Sequence, residues 1–208
     1  MFEWDLCQAH PAKHEDLDWI FRLELDAYSA PHAVARQTLE GWYARNPDGF
    51  SVITMKGRKI GHITIVPLRP EIVKSFVLGT ILEQDIRENS LYTPDEKHLI
   101  RNLYIESIII DSPQGHSSLP IKSLTCLARD FVPLVTRVCD PTNLENFYAL
   151  AASRRGERFM RGLGFDQVKS RQERADRRAL YVAKFSTLKA NISELYNRRL
   201  RKNEMSKL

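Results

Sequence analysis

YIESIIIDSPQGHSSLPIKSL, from Tyr104 to Leu124, opens with an apolar, β-branched run, Tyr104 to Ile110, interrupted by one carboxylate at Glu106. Such a run predicts a strand covered on both faces, where an unpaired carboxylate is costly. The strand breaks at Asp111-Ser112-Pro113, passes a small polar loop holding Gly115, and enters a helix starting at Ser117 or Ser118 ahead of Pro120. A strand, a tight loop and a helix N-terminus form a backbone geometry that receives phosphate, because unpaired amides and the helix dipole face the ligand.

On the upstream side, residues 70–98 read as helical and polar. A short helix starts at Pro70-Glu71 and ends at Gly79, another fits Leu82 to Asn89, and Pro94 with its charged neighbours makes a surface connection. About thirty residues is long for a connection in a compact domain, so a lid or wall over a site is one reading and a surface excursion the other. Before it, Phe50 to Met55, the turn Lys56-Gly57-Arg58 and Lys59 to Val66 predict a hairpin. Helices are expected over His14 to Tyr28, with Leu17, Ile20, Phe21 and Leu25 on one face, and over His32 to Arg45, closed by Asn46-Pro47-Asp48-Gly49. Phe2 to Gln8 alternates like a half-buried strand.

Downstream, the helix from about Leu119 carries Leu124, Leu127, Phe131 and Val132, and Pro133 should kink or end it near Asp130. Residues 134–139 fit a short helix or a strand, Asp140 to Asn143 a turn, and Phe147 to Ala152 a strand. Ser153 is placed to cap a helix over Arg154 to Gly162, and Gly164 to end it. Leu180 to Phe185 reads as a last strand. A final amphipathic helix follows, with Leu188, Ile192, Leu195, Tyr196 and Leu200.

The 208 residues, 43% of them hydrophobic, suffice for a full core in one domain. Cys7, Cys126 and Cys139 are odd in number and widely spaced, which argues against a zinc site and a disulfide framework and fits a reducing cytosol. No apolar run approaches the roughly 18 to 20 residues of a membrane span, and the N-terminus lacks the order of a signal peptide. The expectation is a cytoplasmic protein without a membrane or metal partner. The net charge of +5 is local: residues 187–208 carry +4 and residues 169–178 carry +3, so the remainder is about −2. A solvated loop and helix face is the simple reading of those charges, and a nucleic-acid contact through the basic tail the other.

The resulting order of strands and helices suits a single mixed β-sheet flanked by helices, an α/β fold. Three segments give the chain its likeness to a known family over roughly residues 2–186: Leu103 to Asp111, Ala152 to Phe165 (ASRRGERFMRGLGF) and, more weakly, Pro70 to Ile86 with Gly79. With these it resembles the GCN5-related N-acetyltransferase (GNAT) superfamily, the first segment matching the family's fourth strand and the second its last helix and following Gly-Phe. The division expected is a GNAT-like domain over 1–186, with 70–98 as a helical insert, and a basic amphipathic helix over 187–208.

The resemblance implies acyl transfer from acetyl-CoA to an amine of a small molecule or protein. In the family the fourth strand splays from the fifth and the pantetheine lies in the gap, which would use the backbone of Ile108, Ile109 and Ile110. The pyrophosphate rests on loop and helix-start amides, here Gln114, Gly115, His116, Ser117, Ser118 and Leu119. Glu106 matches the position at which several members hold a general base, and burial would raise its pKa toward neutrality; the other reading is a Glu satisfied by backbone or paired with Arg101 or another Arg. His62 and His116 read as structural or solvated.

Two departures stand out. The family's loop runs Arg or Gln, two residues, Gly, one residue, Gly or Ala. Counting from Gln114 puts Ser117 and Leu119 at the small positions, and counting from Gly115 puts Ser118 and Pro120 there. The Tyr that many members place four residues before the Gly-Phe is Met160, with Tyr104 and Tyr148 as substitute proton donors. These departures and the basic tail support a second reading, a non-catalytic GNAT-like module that binds a protein or nucleic acid. A homodimer through the last helix is compatible with either.

Overall fold

The computed structural model describes residues 7–28, 33–111 and 119–205, the side chains of 119–123 and 202–205 excepted. The expected strand segment before Cys7 and the loop from Ser112 to Ser118 lie outside the described residues, and the second helix, expected from His32, begins only at Arg36, after an extended Ala35.

The described residues form a seven-stranded sheet in the order β1-β2-β3-β4-β5-β7-β6. The strands are β1 (Cys7–Pro11), β2 (Phe50–Met55), β3 (Arg58–Pro67), β4 (Asn102–Ile110), β5 (Asn146–Ala151), β6 (Asp166–Lys169) and β7 (Ala179–Lys184). All neighbours are antiparallel except β4 and β5, which run parallel. A parallel pair needs a crossover, supplied by helix α4 (Leu119–Val138).

Each face of the sheet buries its own core. On one, α4 and the final helix α6 (Phe185–Met205) pack Leu127, Phe131, Val135, Phe185 and Leu188 against Ile63, Ile65 and Leu103. On the other, α1 (Leu17–Ala27), α2 (Arg36–Arg45) and α3 (Pro70–Leu78) pack Leu17, Ile20, Leu39, Trp42 and Phe76 against Val52, Val66 and Tyr104. The aromatic contact of Phe76 with Tyr104, edge to face at 5.1 Å, joins α3 to β4. A short helix α5 (Arg154–Gly162) follows β5; Ser153 Oγ accepts from the Gly156 amide, and Gly164 takes φ +87° just beyond the helix, a conformation open to glycine.

Some sequence expectations need correction. Leu25 is 43% exposed, and the inward stripe of α1 is Leu17, Ile20, Leu23 and Glu24. Pro133 does not end α4: Leu134, Val135 and Val138 beyond it are buried, and that packing outweighs the roughly 3 kcal/mol cost of an interior proline. β6 carries no apolar alternation and was not expected; it pairs with β7 at the sheet edge. The 169–178 segment is not a solvated basic face, because Arg174 and Arg178 turn inward onto Asp176 and Glu83.

Candidate functional site

β4 carries the irregularity that builds the site. Its register with β3 pairs Ile65 with Ile105 and Thr64 with Ser107, leaving Glu106 as an extra residue. A bulge of this kind changes which face later side chains meet. Before it, Leu103 and Ile105 face the α4 core; after it, Ile108 and Ile110 face the same core, so odd positions give way to even.

The bulge coincides with a fork. β4 and β5 pair only from Asn102↔Asn146 to Ile105↔Ala149, although β4 continues to Ile110 and β5 to Ala151. Beyond Ile105 the strands part around a cleft of about 390 Å³. Glu106, Ser107, Ile108 and Ile110 line one arm and Leu150 to Ser153 the other, with Arg155, Phe159 and Met160 of α5 and Tyr28 beside α1 closing the sides. The β4 backbone groups facing this gap have no strand partner, which is costly unless water or a ligand supplies one.

Glu106 is 8% exposed and its Oε2 has no hydrogen-bond partner. Burial first, then the nearby charges of Glu24 and Glu83, push its pKa well above the usual carboxylate range. The Ser107 hydroxyl lies near enough to favour the ionised form, yet it meets no hydrogen-bond geometry and its own oxygen is unpartnered. The expected alternative partner, Arg101, is engaged elsewhere, with Glu145 at 3.1 Å.

Glu24 and His62 are both fully buried and face each other at 3.2 Å from α1 and β3. Glu83, in the insert, accepts from the Tyr104 hydroxyl and from Arg178 at 2.5 Å. Arg178 also meets Asp176 at 3.4 Å, and Arg174 bonds Asp176 and the Phe76 carbonyl, both at 3.0 Å. These bonds tie the 70–98 insert to the segment before β7, so in this structure the insert is a fixed wall.

Of the residues expected in a site, the structure brings Glu106, Ile108 and Ile110 to the cleft. Ile109 pairs with His62, and its buried side chain lies outside the cleft lining. Gln114, Gly115, His116, Ser117 and Ser118 lie outside the described residues, and Leu119 is the first residue of α4. Tyr104, offered as a proton donor, is committed to Glu83 under Phe76, and Tyr148 does not line the cleft; Met160 does. Sequence reasoning missed Tyr28, Glu24 and Ser107. The helical period carried a signal for two of them, since Glu24 follows Ile20 by four and Tyr28 follows Glu24 by four.

No protein-family model matches the chain and no curated protein is similar to it. Solved structures do resemble it. The loading GNATL domain of CurA from Lyngbya majuscula superposes with a TM-score of 0.59 at 12% identity, over 86% of this chain and 98% of that one. The GphF GNAT-like decarboxylase in complex with isobutyryl-CoA gives 0.56 at 15% identity, over 85% and 98%. Naa50 from Arabidopsis thaliana, in complex with the bisubstrate analogue CoA-Ac-MVNAL, gives 0.52 at 10% identity, over 86% and 99%. The chain therefore has the GNAT fold: one mixed sheet flanked by helices.

Proposed function

We propose that the chain is an acyl-CoA-dependent N-acyltransferase acting on an amine, with acetyl-CoA as cosubstrate. One observation carries the reading: β4 and β5 separate at the bulge, and the resulting cleft holds a buried carboxylate with one oxygen unpartnered beside unpaired strand backbone. These groups fit a thioester cosubstrate whose extended arm bears amides, since strand backbone can bond to it as to another strand. Structural neighbours that hold isobutyryl-CoA and a CoA-peptide analogue on this fold support the assignment.

The cosubstrate supplies an activated acyl carbonyl; the chain supplies position and proton transfer. The backbone of Ile108 and Ile110, on the edge of β4 that faces the gap, aligns the acyl group and offers amide hydrogens to its oxygen, while the Ile109 backbone is committed to His62 of β3. Glu106 accepts the proton of the incoming ammonium, directly or through water, and burial, by raising its pKa, makes it a stronger proton acceptor than an exposed carboxylate. Tyr28 keeps its proton because burial first, then the charges of Glu106, Glu24 and Glu83, disfavour the phenolate, and it can hydrogen-bond the departing sulfur while water protonates it. The amides at Gln114 to Leu119 hold the pyrophosphate.

The test is turnover: release of free CoA thiol from acetyl-CoA with a panel of primary amines. Glu106→Gln should lower kcat about 10²- to 10⁴-fold. Acetyl-CoA binding without turnover on any amine would favour the binding-module reading, with Met160 in the cleft where a proton-donating phenol would otherwise stand.

A further inference from the structure

The outer face of α5 carries charge that the fold does not call for. Arg154, Arg158 and Arg161 recur at i, i+4 and i+7 and are exposed, while Phe159, Met160 and Leu163 on the opposite side pack into the α4 core. Like charges at this spacing repel, and Arg154 and Arg155 occupy the first turn, where the helix dipole disfavours a cation. Glu157, the helix's one carboxylate, is drawn away to Arg171 at 2.7 Å. Among the described residues the side chains of Arg154, Arg155 and Arg158 have no ion pair and no hydrogen bond.

Where α5 ends, its stripe meets α6. Arg161, Arg198 and Arg199 border a surface groove of about 410 Å³, and Glu194, the carboxylate in its lining, is held by Arg198. Six arginines against Glu157 and Glu194 leave this surface with a net charge of +4. A face of one sign attracts a polyanion.

The shape of the face selects among polyanions. Its stripe holds no aromatic side chain, so bases find no stacking platform and the regular phosphates of a duplex are the better match. From Arg154 to Arg161 is about 10 Å of helix, a length in which a duplex carries about six phosphates. α5 is half-embedded through Phe159, Met160 and Leu163, so it does not protrude as a helix must to enter a B-form major groove. The wide, shallow minor groove of an A-form duplex admits such a face, with phosphates along its rims.

We propose that the arginine face of α5, continued by the groove against α6, docks the phosphate backbone of double-stranded RNA. This docking does not depend on acyl transfer, and it sets the duplex beside the cleft that Arg155 lines.

The experiment is fluorescence anisotropy of the full chain with four labelled probes: an RNA duplex of about 20 base pairs, the DNA duplex of the same sequence, the single RNA strand, and polyglutamate. Salt is varied from about 50 to 200 mM. The RNA duplex should bind most tightly, and the combined Arg154→Gln and Arg158→Gln variant should weaken it about tenfold or more and make the salt slope shallower by about two. Lys74→Gln with Arg87→Gln removes the same charge from the side of the sheet that α1 to α3 cover, and should change binding less than about twofold. Both α5 positions are exposed and unpartnered, and each single variant gives a second reading of the loss. No binding of the RNA duplex at about 100 mM salt would overturn the proposal, as would tighter binding of any other probe. Equal losses from the α5 pair and the control pair would overturn it too, leaving only diffuse attraction to a basic protein.

Discussion

Replacing Glu106 with Gln should make the protein more stable while disabling it. The carboxyl is buried with one oxygen unpartnered, and burial together with the Glu24 and Glu83 charges raises its folded-state pKa. The unfolded chain ionises this group near its ordinary value of about 4.3, so between that value and the raised one the folded state holds more protons. Stability contributed by the protonated form is therefore present below the unfolded pKa and is lost as pH rises through the folded one. Gln keeps the volume and never ionises. For each pH unit between about 4.3 and the raised folded value the parent loses about 1.4 kcal/mol that the variant keeps, and 1 kcal/mol moves Tm by about 2–4 °C in a chain of this size, so the variant should gain about 3–6 °C per pH unit across that window. Thermal unfolding of both proteins at about pH 5 and about pH 8 reads it, the gap widening at the higher pH. Equal Tm values at both, or a less stable variant at about pH 8, would refute the reasoning.

Other outcomes follow from the same structure. Arg178→Met leaves Glu83 buried with only the Tyr104 hydroxyl, and urea unfolding should show a loss of about 3–5 kcal/mol. Gly61→Ala would bring a Cβ within 2.4 Å of the Ile109 carbonyl, so β3 must move from β4; a cost of about 1–3 kcal/mol is expected, with longer-range damage to cosubstrate binding. Glu96 is held down to about 2 by the Thr93 amide first and then by Arg69, so the stability it contributes is present above about pH 4.3 and lost as pH falls to about 2. With its side chain 29% exposed, Glu96→Gln should cost only about 1 kcal/mol at neutral pH, the difference from the parent closing in acid.

What the sequence made legible was what local rules decide. The strand through Glu106, the Ser153 cap and the Gly164 turn each depend on residues within a few positions, and each is present. The bulge depends on which β3 residues face β4, and no local pattern in YIESIII announces it. Arg178 finds Glu83 at a separation of 95 residues, so its burial was invisible in a run of basic residues that reads as a solvated surface. Glu24 was legible and overlooked: the helical stripe passes through it, and reading Leu25 as the inward residue favoured hydrophobicity over period. Pro133 misled because a propensity argument omits the packing beyond it.

The fork between β4 and β5 is the proposed seat of the acyl-CoA arm. Amide hydrogen exchange of the full chain with and without acetyl-CoA tests it residue by residue. The gap-facing amides of Ile108 and Ile110 should become protected, while that of Ile109, already paired with His62, and those from Asn102 to Ile105, already paired with β5, change little. Unchanged exchange at Ile108 and Ile110 at saturating acetyl-CoA would contradict that placement.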